Sequence, residues 1–283
     1  MTMLLGIGSY TLPWAIGVAP EIPASPLDHA GLLAAATELG AEVVQFADNL
    51  PVHELDDGTL GTLRDDADRR GIRVEIGVRG VAADTLTKAA AAATRLGAPF
   101  VRTILEAPGA GHLEVSAAVA ALAPLELEFR DRGLRLAIEN HDRHRTDELL
   151  GVIDALGDWS GVCLDTVNSF GALEDPDRVI AVLAPVTIAV HVKDFSIHRQ
   201  WHKMGFEIVG APVGQGRLDL ATLFEAVGDR AESAVVELWT PFQGDLASTI
   251  RLEHTWATQS MVALRAVTRG DDPSPWEAGG FDG

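Results

Sequence analysis

The sequence is poor in cysteine and lysine and has no long apolar run. It has one cysteine, Cys163, in 283 residues, so no disulfide can form within the chain, and a reducing compartment, by default the cytoplasm, is the expected location. No stretch of about 18 uninterrupted apolar residues occurs, which argues against a transmembrane helix. The segment Met1–Gly8 has no basic region and is not typical of a signal peptide.

Positive charge is also scarce. Lys and Arg number 22 and Asp and Glu number 41, for a formal net charge of −19. A chain this acidic repels phosphate backbones, so the charge excludes a general nucleic-acid binder and disfavours an anionic membrane surface. A small-molecule partner is still compatible, because a pocket can be locally basic inside an acidic shell. Association into a homo-oligomer is left open.

Hydrophobic residues make up 47% of the chain and charged residues 22%, as in ordinary globular proteins. Short β-branched runs alternate with longer amphipathic runs. The predicted strands are Leu4–Thr11, Glu42–Ala47, Arg73–Arg79, Phe100–Glu106, Leu134–Asp142, Gly161–Asn168, Thr187–Phe195 and Ala234–Thr240. The predicted helices are Leu27–Leu39, Thr59–Arg70, Ala83–Leu96, Glu114–Arg132, Thr146–Leu156, Pro176–Leu183, Leu220–Val227 and Ser248–Val267.

Eight strand–helix units in this length predict an α/β fold, a (β/α)8 TIM barrel in a single domain over residues 1–268. Residues 269–283, rich in Gly, Pro and Asp, are expected to form a C-terminal tail. The alternative is an open doubly wound sheet. No glycine-rich phosphate-binding motif supports that alternative.

Alternation along each strand predicts which side chains face the barrel axis. In the fifth strand Leu136 and Ile138 should face the helices, which leaves Glu139 inside, and in the seventh Ile188, Val190 and Val192 should face the helices. The same argument applied to four consecutive strands places one group of side chains together at their carboxyl ends: Glu139, Asp165, His191 and Glu237. Buried carboxylates need a cation, and oxygen donors with one nitrogen suit Mn²⁺, Mg²⁺, Co²⁺ or Zn²⁺.

Other polar side chains are also expected inside the barrel. Gln45 and Arg102 should point to the axis, and Glu75 is expected either to pair with Arg102 or Arg135 or to take part in the site.

Five segments carry a family resemblance: LAIENHD (136–142), CLDTVNS (163–169), VHVKDF (190–195), GFEIVGAPVGQGRLD (205–219) and VVELWTP (235–241). With these motifs the chain resembles the xylose-isomerase-like TIM-barrel superfamily of sugar phosphate isomerases and epimerases, over nearly its whole length. The resemblance implies one divalent metal ion, most simply Mn²⁺, held by Glu139, Asp165, His191 and Glu237.

The resemblance also implies an enzyme that acts on a keto-sugar or sugar acid through a metal-stabilised enediolate. Isomerisation, epimerisation, decarboxylation and elimination share that intermediate, so the ligands alone do not choose among them. Asn168 stands where epimerases of this family often have His. The pattern is most similar to lyase members such as the 3-oxo-isoapionate decarboxylase group, with enzymes that eliminate aglycones from 3-keto-glycosides next. The family-wide isomerase/epimerase class is the first expectation, and a non-catalytic barrel or a nuclease is less compatible with the four ligands.

The inward orientation of alternate strand residues also predicts residues for acid/base chemistry and substrate binding. His141 and Lys193 lie two residues beyond predicted ligands and are the expected proton shuttles. The resemblance to the family's epimerases implies that Glu139 and Glu237 act as bases as well as ligands. A long loop after strand seven, which contains His198, His202 and Arg217, is expected to bind a substrate anion. The predicted substrate-binding residues are Arg102, Tyr10, Arg199, Lys203 and Trp239, with Trp14, Phe46 and Trp201 as further aromatic walls.

Overall fold

Eight parallel strands close into a barrel in the computed structural model, which describes residues 3–107, 109 and 112–270. The strands of the described residues are β1 (Leu4–Gly8), β2 (Val43–Phe46), β3 (Arg73–Gly77), β4 (Phe100–Ile104), β5 (Arg135–Glu139), β6 (Ser160–Asp165), β7 (Thr187–Val192), β8 (Asp194–Arg199), β9 (Phe206–Ala211) and β10 (Ser233–Val236). The barrel runs β1-β2-β3-β4-β5-β6-β7-β10 and closes on β1. The predicted single-domain TIM barrel is confirmed.

Helices surround the barrel. Within the described ranges they are α1 (Pro13–Ile16), α2 (His29–Glu38), α3 (Asp57–Arg70), α4 (Ala83–Leu96), α5 (Val115–Leu122), α6 (Glu126–Asp131), α7 (Thr146–Leu156), α8 (Pro176–Leu183), α9 (Leu220–Val227) and α10 (Leu246–Thr268). The single helix predicted over Glu114–Arg132 is wrong. A 3-10 turn at Ala123–Leu125 divides it, because Pro124 has no N–H and its ring clashes with the preceding turn.

Residues at the helix ends explain where the helices begin and stop. An aspartate precedes several helices and accepts a hydrogen bond from a backbone N–H of the first turn; Asp175, directly before Pro176, does so from Arg178 N. Gly71 and Gly97 end α3 and α4 in the left-handed conformation that glycine adopts without strain. Both helices thus end where the chain enters the next strand, and because the barrel strands are parallel all of them begin at the same edge of the sheet.

The hydrophobic core lies mainly between the sheet and the helices. A second, small apolar cluster fills one layer of the barrel interior: Phe100, Ala137, Cys163, Ile188 and Ala189. The predicted outward orientation of Ile188 is wrong. Val162 pairs with Thr187 while Cys163 pairs with Ala189, so Ile188 is an extra residue in the ladder, and such an irregularity re-aims a side chain. Above this layer the interior becomes polar.

The segment after β7 is an ordered ribbon. The sequence predicts a long loop there that lies over the site, but β8 and β9 pair antiparallel from Asp194–Ala211 to Arg199–Phe206. Alternating β-branched and aromatic residues in both strands account for the pairing. The outer half of the ribbon is exposed, and Trp201 at its tip is 90% exposed.

Two further expectations concern the chain ends and membranes. The tail predicted over 269–283 lies, from residue 271 onward, outside the described residues. Among the residues that the structure describes, no helix has the length and apolar character needed to cross a bilayer.

Glu253 on α10 is a buried carboxylate away from the barrel interior. It accepts hydrogen bonds from the backbone N–H groups of Trp14 and Ala15, at 2.8 and 3.0 Å, and so links α10 to the start of α1. Burial outweighs these two bonds and raises the pKa of Glu253 to about 7. Glu253 therefore couples the stability of this contact to pH.

We expect the free energy of unfolding of the wild type, relative to Glu253→Gln, to fall as pH rises from about 5 to about 8, by at most about 3 kcal/mol, since one pKa unit corresponds to ~1.4 kcal/mol. The sign follows because the folded-state pKa lies above the ordinary value of 4.5, so folding favours the protonated form. Urea unfolding of both proteins at several pH values measures the difference. Parallel stability curves would contradict the assignment.

Candidate active site

A cavity of about 180 Å³ opens at the carboxyl-terminal ends of the barrel strands. This end of the barrel is where TIM-barrel enzymes carry out their chemistry. The cavity is lined by Tyr10, Asp48, Arg79, Arg102, Ile104, Glu139, His141, Asn168, Lys193, Glu237, Leu238 and Trp239. Most of these side chains are polar or charged, so the cavity suits a hydroxylated, charged small molecule better than an apolar one.

The structure brings together the four residues that the sequence predicts as metal ligands. Glu139 and Asp165 are the last residues of β5 and β6, His191 lies one residue before the end of β7, and Glu237 directly follows β10. All four side chains are at least 96% buried. His191 Nδ1 lies 3.3 Å from Glu139 Oε2 and 3.3 Å from Glu237 Oε1. The parallel barrel places these strand ends at one height.

The donor set fits a divalent cation. Donor atoms of Asp165, His191 and Glu237 lie within 4.8 Å of one another, and so do those of Glu139, Cys163 and His191. His191 Nδ1 is buried and has no hydrogen-bond partner among the described residues. Carboxylate oxygens around one imidazole nitrogen are the ligands that Mn²⁺, Zn²⁺ and Co²⁺ accept. Glu139, Asp165, His191 and Glu237 are thus the residues that would hold the ion.

Two buried cations balance part of the negative charge. Lys193 Nζ lies 2.5 Å from Asp165 Oδ2 and 2.7 Å from Glu237 Oε2. Arg102 Nε lies 2.9 Å from Glu139 Oε2, and Arg102 Nη1 donates to the carbonyl of Val78. Both cations line the cavity as well, so each contacts a carboxylate of the site and faces the space for a substrate.

These contacts shift the ionisation of the site. Burial opposes the charge of Glu139, but Arg102 and His191 outweigh burial and hold the pKa of Glu139 below its ordinary range. Burial likewise opposes the charge of Glu237, while His191 and Lys193 lower the pKa of Glu237. Burial would lower the pKa of Lys193, but the carboxylates of Asp165 and Glu237 raise it. Glu139 and Glu237 are therefore biased toward the ionised form and Lys193 toward the protonated form, whereas burial raises the pKa of Asp165 despite its contact with Lys193.

Asp165 is held by backbone and side-chain hydrogen bonds. Its Oδ1 accepts from the backbone N–H groups of Val167 and Asn168. Asn140, at the end of β5, accepts from Asp165 N at 2.7 Å and donates to Asp165 O at 2.8 Å. Because Asn140 bridges the two strand ends, the carboxylates of Glu139 and Asp165 keep a fixed separation.

Asp194 organises the glycine-rich segment beyond β9. Its buried carboxylate accepts from the backbone N–H groups of Gly214, Gly216 and Leu218 at 2.9–3.0 Å. A Cβ added at Gly216 would lie 2.1 Å from Asp194 Oδ1, so only glycine lets the backbone approach this closely. The loop is anchored next to Lys193, which fixes the edge of the cavity on this side.

Several predicted acid/base and substrate residues line the cavity. Tyr10 lies in the 3-10 turn Ser9–Thr11 rather than on a strand, and its hydroxyl donates to Asp48 Oδ2 at 3.2 Å. Trp239 and His141 stand at the mouth and are partly exposed. Together with Arg102 and Lys193 they surround the space next to the predicted metal ligands.

Other predicted substrate residues do not reach the cavity. Arg199 and Lys203 are exposed on the β8–β9 ribbon, where Arg199 donates to the carbonyl of Lys203 and lies over the Phe206 ring at 4.6 Å. Of the further aromatic walls, Trp201 is exposed at the ribbon tip and Phe46 is buried in the hydrophobic core. Trp14 donates to the carbonyl of Thr240 and packs against Phe242. Arg199, Trp201 and Lys203 are thus exposed on the outer half of the ribbon, and none of them lines the cavity.

Sequence reasoning missed some contributors to the site. Asp48 lines the cavity two residues beyond the end of β2, and its position just beyond a strand was the available signal. Asn168 donates to Glu139 Oε1 at 2.8 Å, although in the sequence it stands out only as a departure from the family. Glu75 pairs with Arg73 at 2.7 Å, not with Arg102 or Arg135, because Arg102 is drawn to Glu139 and Arg135 to Glu232.

Comparisons with known proteins agree with this architecture. Among curated proteins, the 3-oxo-isoapionate decarboxylase of Pectobacterium atrosepticum is 34% identical over 266 residues, covering 93% of this chain and 95% of that protein. Among solved structures, D-psicose 3-epimerase in the presence of D-fructose aligns with a TM-score of 0.69 at 15% identity, covering 95% of this chain and 100% of that chain. A xylose isomerase-like protein from Mycobacterium smegmatis in complex with magnesium aligns with a TM-score of 0.63 at 19% identity, covering 92% and 98%.

Identities below 25% show a shared fold only, whereas the 34% identity extends over nearly the full length of both chains. The model of the family described as xylose isomerase-like TIM barrel matches residues 33–256, which include all four predicted metal ligands. The chain therefore belongs to the xylose isomerase-like TIM-barrel family.

Proposed function

We propose that this protein is a divalent-metal-dependent lyase that decarboxylates a β-keto sugar acid. The observation that carries the proposal is the 34% identity to a 3-oxo-isoapionate decarboxylase across 95% of its length. The broader statement, a sugar-modifying enzyme of the isomerase/epimerase or lyase type, agrees with the epimerase structures of the same fold. The expectation of an isomerase or epimerase becomes the second candidate.

The cavity supports a sugar acid as substrate. Arg102 is 4% exposed, contacts Glu139 through Nε and lines the cavity. A guanidinium can hold a carboxylate or vicinal hydroxyls through two parallel hydrogen bonds. Tyr10 and Trp239 would wall the sugar, and Asp48 would accept from its hydroxyls. This arrangement orients the carbonyl of a keto acid toward the carboxylates and Lys193.

Decarboxylation requires that the bond between the carboxyl carbon and the α-carbon break, with its electron pair moving into the β-carbonyl. A divalent cation, when bound, polarises that carbonyl and stabilises the enediolate oxygen. The Lys193 ammonium, kept protonated by Asp165 and Glu237, can donate a hydrogen bond to the same developing oxyanion. His141, at the cavity mouth, is placed to return a proton to the α-carbon after CO₂ leaves.

A second candidate, isomerisation or epimerisation, has its own support. Proton abstraction and return need two acid/base groups beside one carbon. Glu139 and Glu237 flank His191 Nδ1 at equal distances of 3.3 Å. Two such carboxylates are able to serve as base and acid in turn. The position of deuterium in the product and the release of CO₂ distinguish the two reactions.

We expect the Mn²⁺-loaded protein to release CO₂ from 3-oxo-isoapionate, and the ketose product formed in D₂O to carry one deuterium at the carbon that lost CO₂. NMR of the product and a coupled CO₂ assay measure both. D-fructose and other ketoses serve as the comparison panel. If deuterium enters an intact carbon skeleton and no CO₂ is released, the protein is an isomerase or epimerase and not a lyase.

We expect Glu237→Gln to weaken Mn²⁺ binding by at least about 10-fold, the loss typical even for residues that only support a metal ligand. Removing the metal with a chelator should abolish turnover, and adding Mn²⁺ should restore it. Calorimetric titration measures the affinity. The matched control is Glu253→Gln, which alters a buried glutamate outside the site. A Glu237→Gln protein with wild-type Mn²⁺ affinity and turnover would overturn the site assignment.

We expect Arg102→Lys to raise KM for the sugar acid by about 10-fold or more, because a bidentate charge-assisted contact of about 1.5–3 kcal/mol is lost. The lysine keeps a positive charge near Glu139, so Mn²⁺ affinity should change little. Steady-state kinetics beside metal titration test this split. Arg199→Lys is the comparison variant, and a KM increase in that variant alone would move anion binding to the β8–β9 ribbon.

A further inference from the structure

A chain of hydrogen bonds runs through the barrel beneath the candidate metal ligands. His191 Nε2 lies 2.8 Å from Gln45 Oε1, and Gln45 Nε2 donates to Glu75 Oε2 at 3.4 Å. The three side chains come from β7, β2 and β3, and none is more than 1% exposed. Gln45 and Glu75 are Cα partners in the β2–β3 ladder, whereas His191 reaches them across the interior. Neither Gln45 nor Glu75 lines the cavity.

The charge of Glu75 fixes the direction of this chain. Arg73 Nη2 lies 2.7 Å from Glu75 Oε1, and Arg73 also pairs with Glu232 at 3.3 Å. An ionised carboxylate only accepts hydrogen bonds, so the Gln45 atom that faces Glu75 is the amide nitrogen. The Gln45 oxygen then faces His191. Because an amide oxygen only accepts, the hydrogen between Gln45 and His191 belongs to His191 Nε2.

We infer that Gln45 and Glu75 are positioning residues that keep the hydrogen of His191 on Nε2 and leave Nδ1 for the metal. The inference rests on the metal site of the proposed function. His191 Nδ1 faces Glu139 and Glu237 at 3.3 Å each, on the side opposite Gln45. The partner of the second ring nitrogen sets the tautomer and the ring orientation of a ligating histidine. Here that partner is a neutral amide, itself oriented by an ion pair lower in the barrel.

The chain offers a matched set of variants. Gln45→Leu removes the amide that accepts from His191 and replaces it with an apolar side chain of similar size. The exchange Gln45→Glu with Glu75→Gln reverses the two partners: the introduced carboxylate accepts from His191 Nε2, and the introduced amide donates to that carboxylate. We expect Gln45→Leu to weaken Zn²⁺ binding by about 10- to 100-fold, the range for residues that orient a ligand. The double exchange should recover most of the loss.

Two measurements test the inference without substrate. Competitive calorimetry gives Zn²⁺ affinity, and long-range proton–nitrogen NMR of ¹⁵N-histidine in the Zn²⁺-loaded proteins shows which ring nitrogen carries hydrogen. Nε2–H with a ligated Nδ1 in the wild type and in the double exchange, together with weaker binding in Gln45→Leu, supports the inference. Circular dichroism checks that each variant is folded. The NMR spectrum of the wild type tests which ring nitrogen is ligated even if a variant does not fold.

Other outcomes overturn the inference. These are ligation through Nε2 in the wild type, unchanged affinity in Gln45→Leu, or a double exchange that binds no better than Gln45→Leu. Failure of the proposed function has a different signature: a wild-type protein that binds Zn²⁺ through Nδ1 and yet releases no CO₂ keeps this inference and overturns the decarboxylase.

Discussion

The placement of carboxylates inside a closed barrel is the constraint on which the site depends. Glu139, Asp165 and Glu237 come from three different strand ends and lie almost entirely out of water. Ionised groups in such surroundings persist only with close partners of opposite charge. Arg102 and Lys193 supply two positive charges to these three carboxylates, and the imidazole of His191 lies among them. One negative charge stays uncompensated among these groups, and the strands hold the carboxylate oxygens and the imidazole nitrogen in a geometry that fits a cation.

The surroundings of these ligands are rigid for identifiable reasons. Asn140, directly after β5, makes two hydrogen bonds to Asp165 at the end of β6 and donates a third to Ser169 in the turn that follows. Asp194 gathers the N–H groups of the glycine-rich loop, and Gln45 supports His191 from below. A site in which each predicted ligand has its own supporting residue loses little conformational entropy when a metal or substrate binds.

The β8–β9 ribbon illustrates why charge in the sequence does not locate a binding site. Arg199 and Lys203 are among few cations in an acidic chain, and this scarcity made them reasonable anion-binding candidates. Both are exposed on the paired ribbon and do not line the cavity, and Arg199 contacts the carbonyl of Lys203 and the Phe206 ring. The cations that line the cavity, Arg102, Arg79 and Lys193, lie on barrel strands or within two residues of their carboxyl ends.

The sequence by itself determined the barrel and the convergence of four polar side chains at its strand ends, because strand alternation and helix-terminal residues are local signals. Glu139, Asp165, His191 and Glu237 follow from parity along four strands. Only the tertiary structure decided what those side chains contact. The bond between Gln45 and His191 depends on which strands lie opposite across the barrel. The orientation of Ile188 and the bridge from Asn140 depend on the register of neighbouring strands, and the pairing of Glu75 with Arg73 depends on which other carboxylates hold Arg102 and Arg135. Parity along one strand holds no information about distance across the interior, and the closure of eight strands sets that distance.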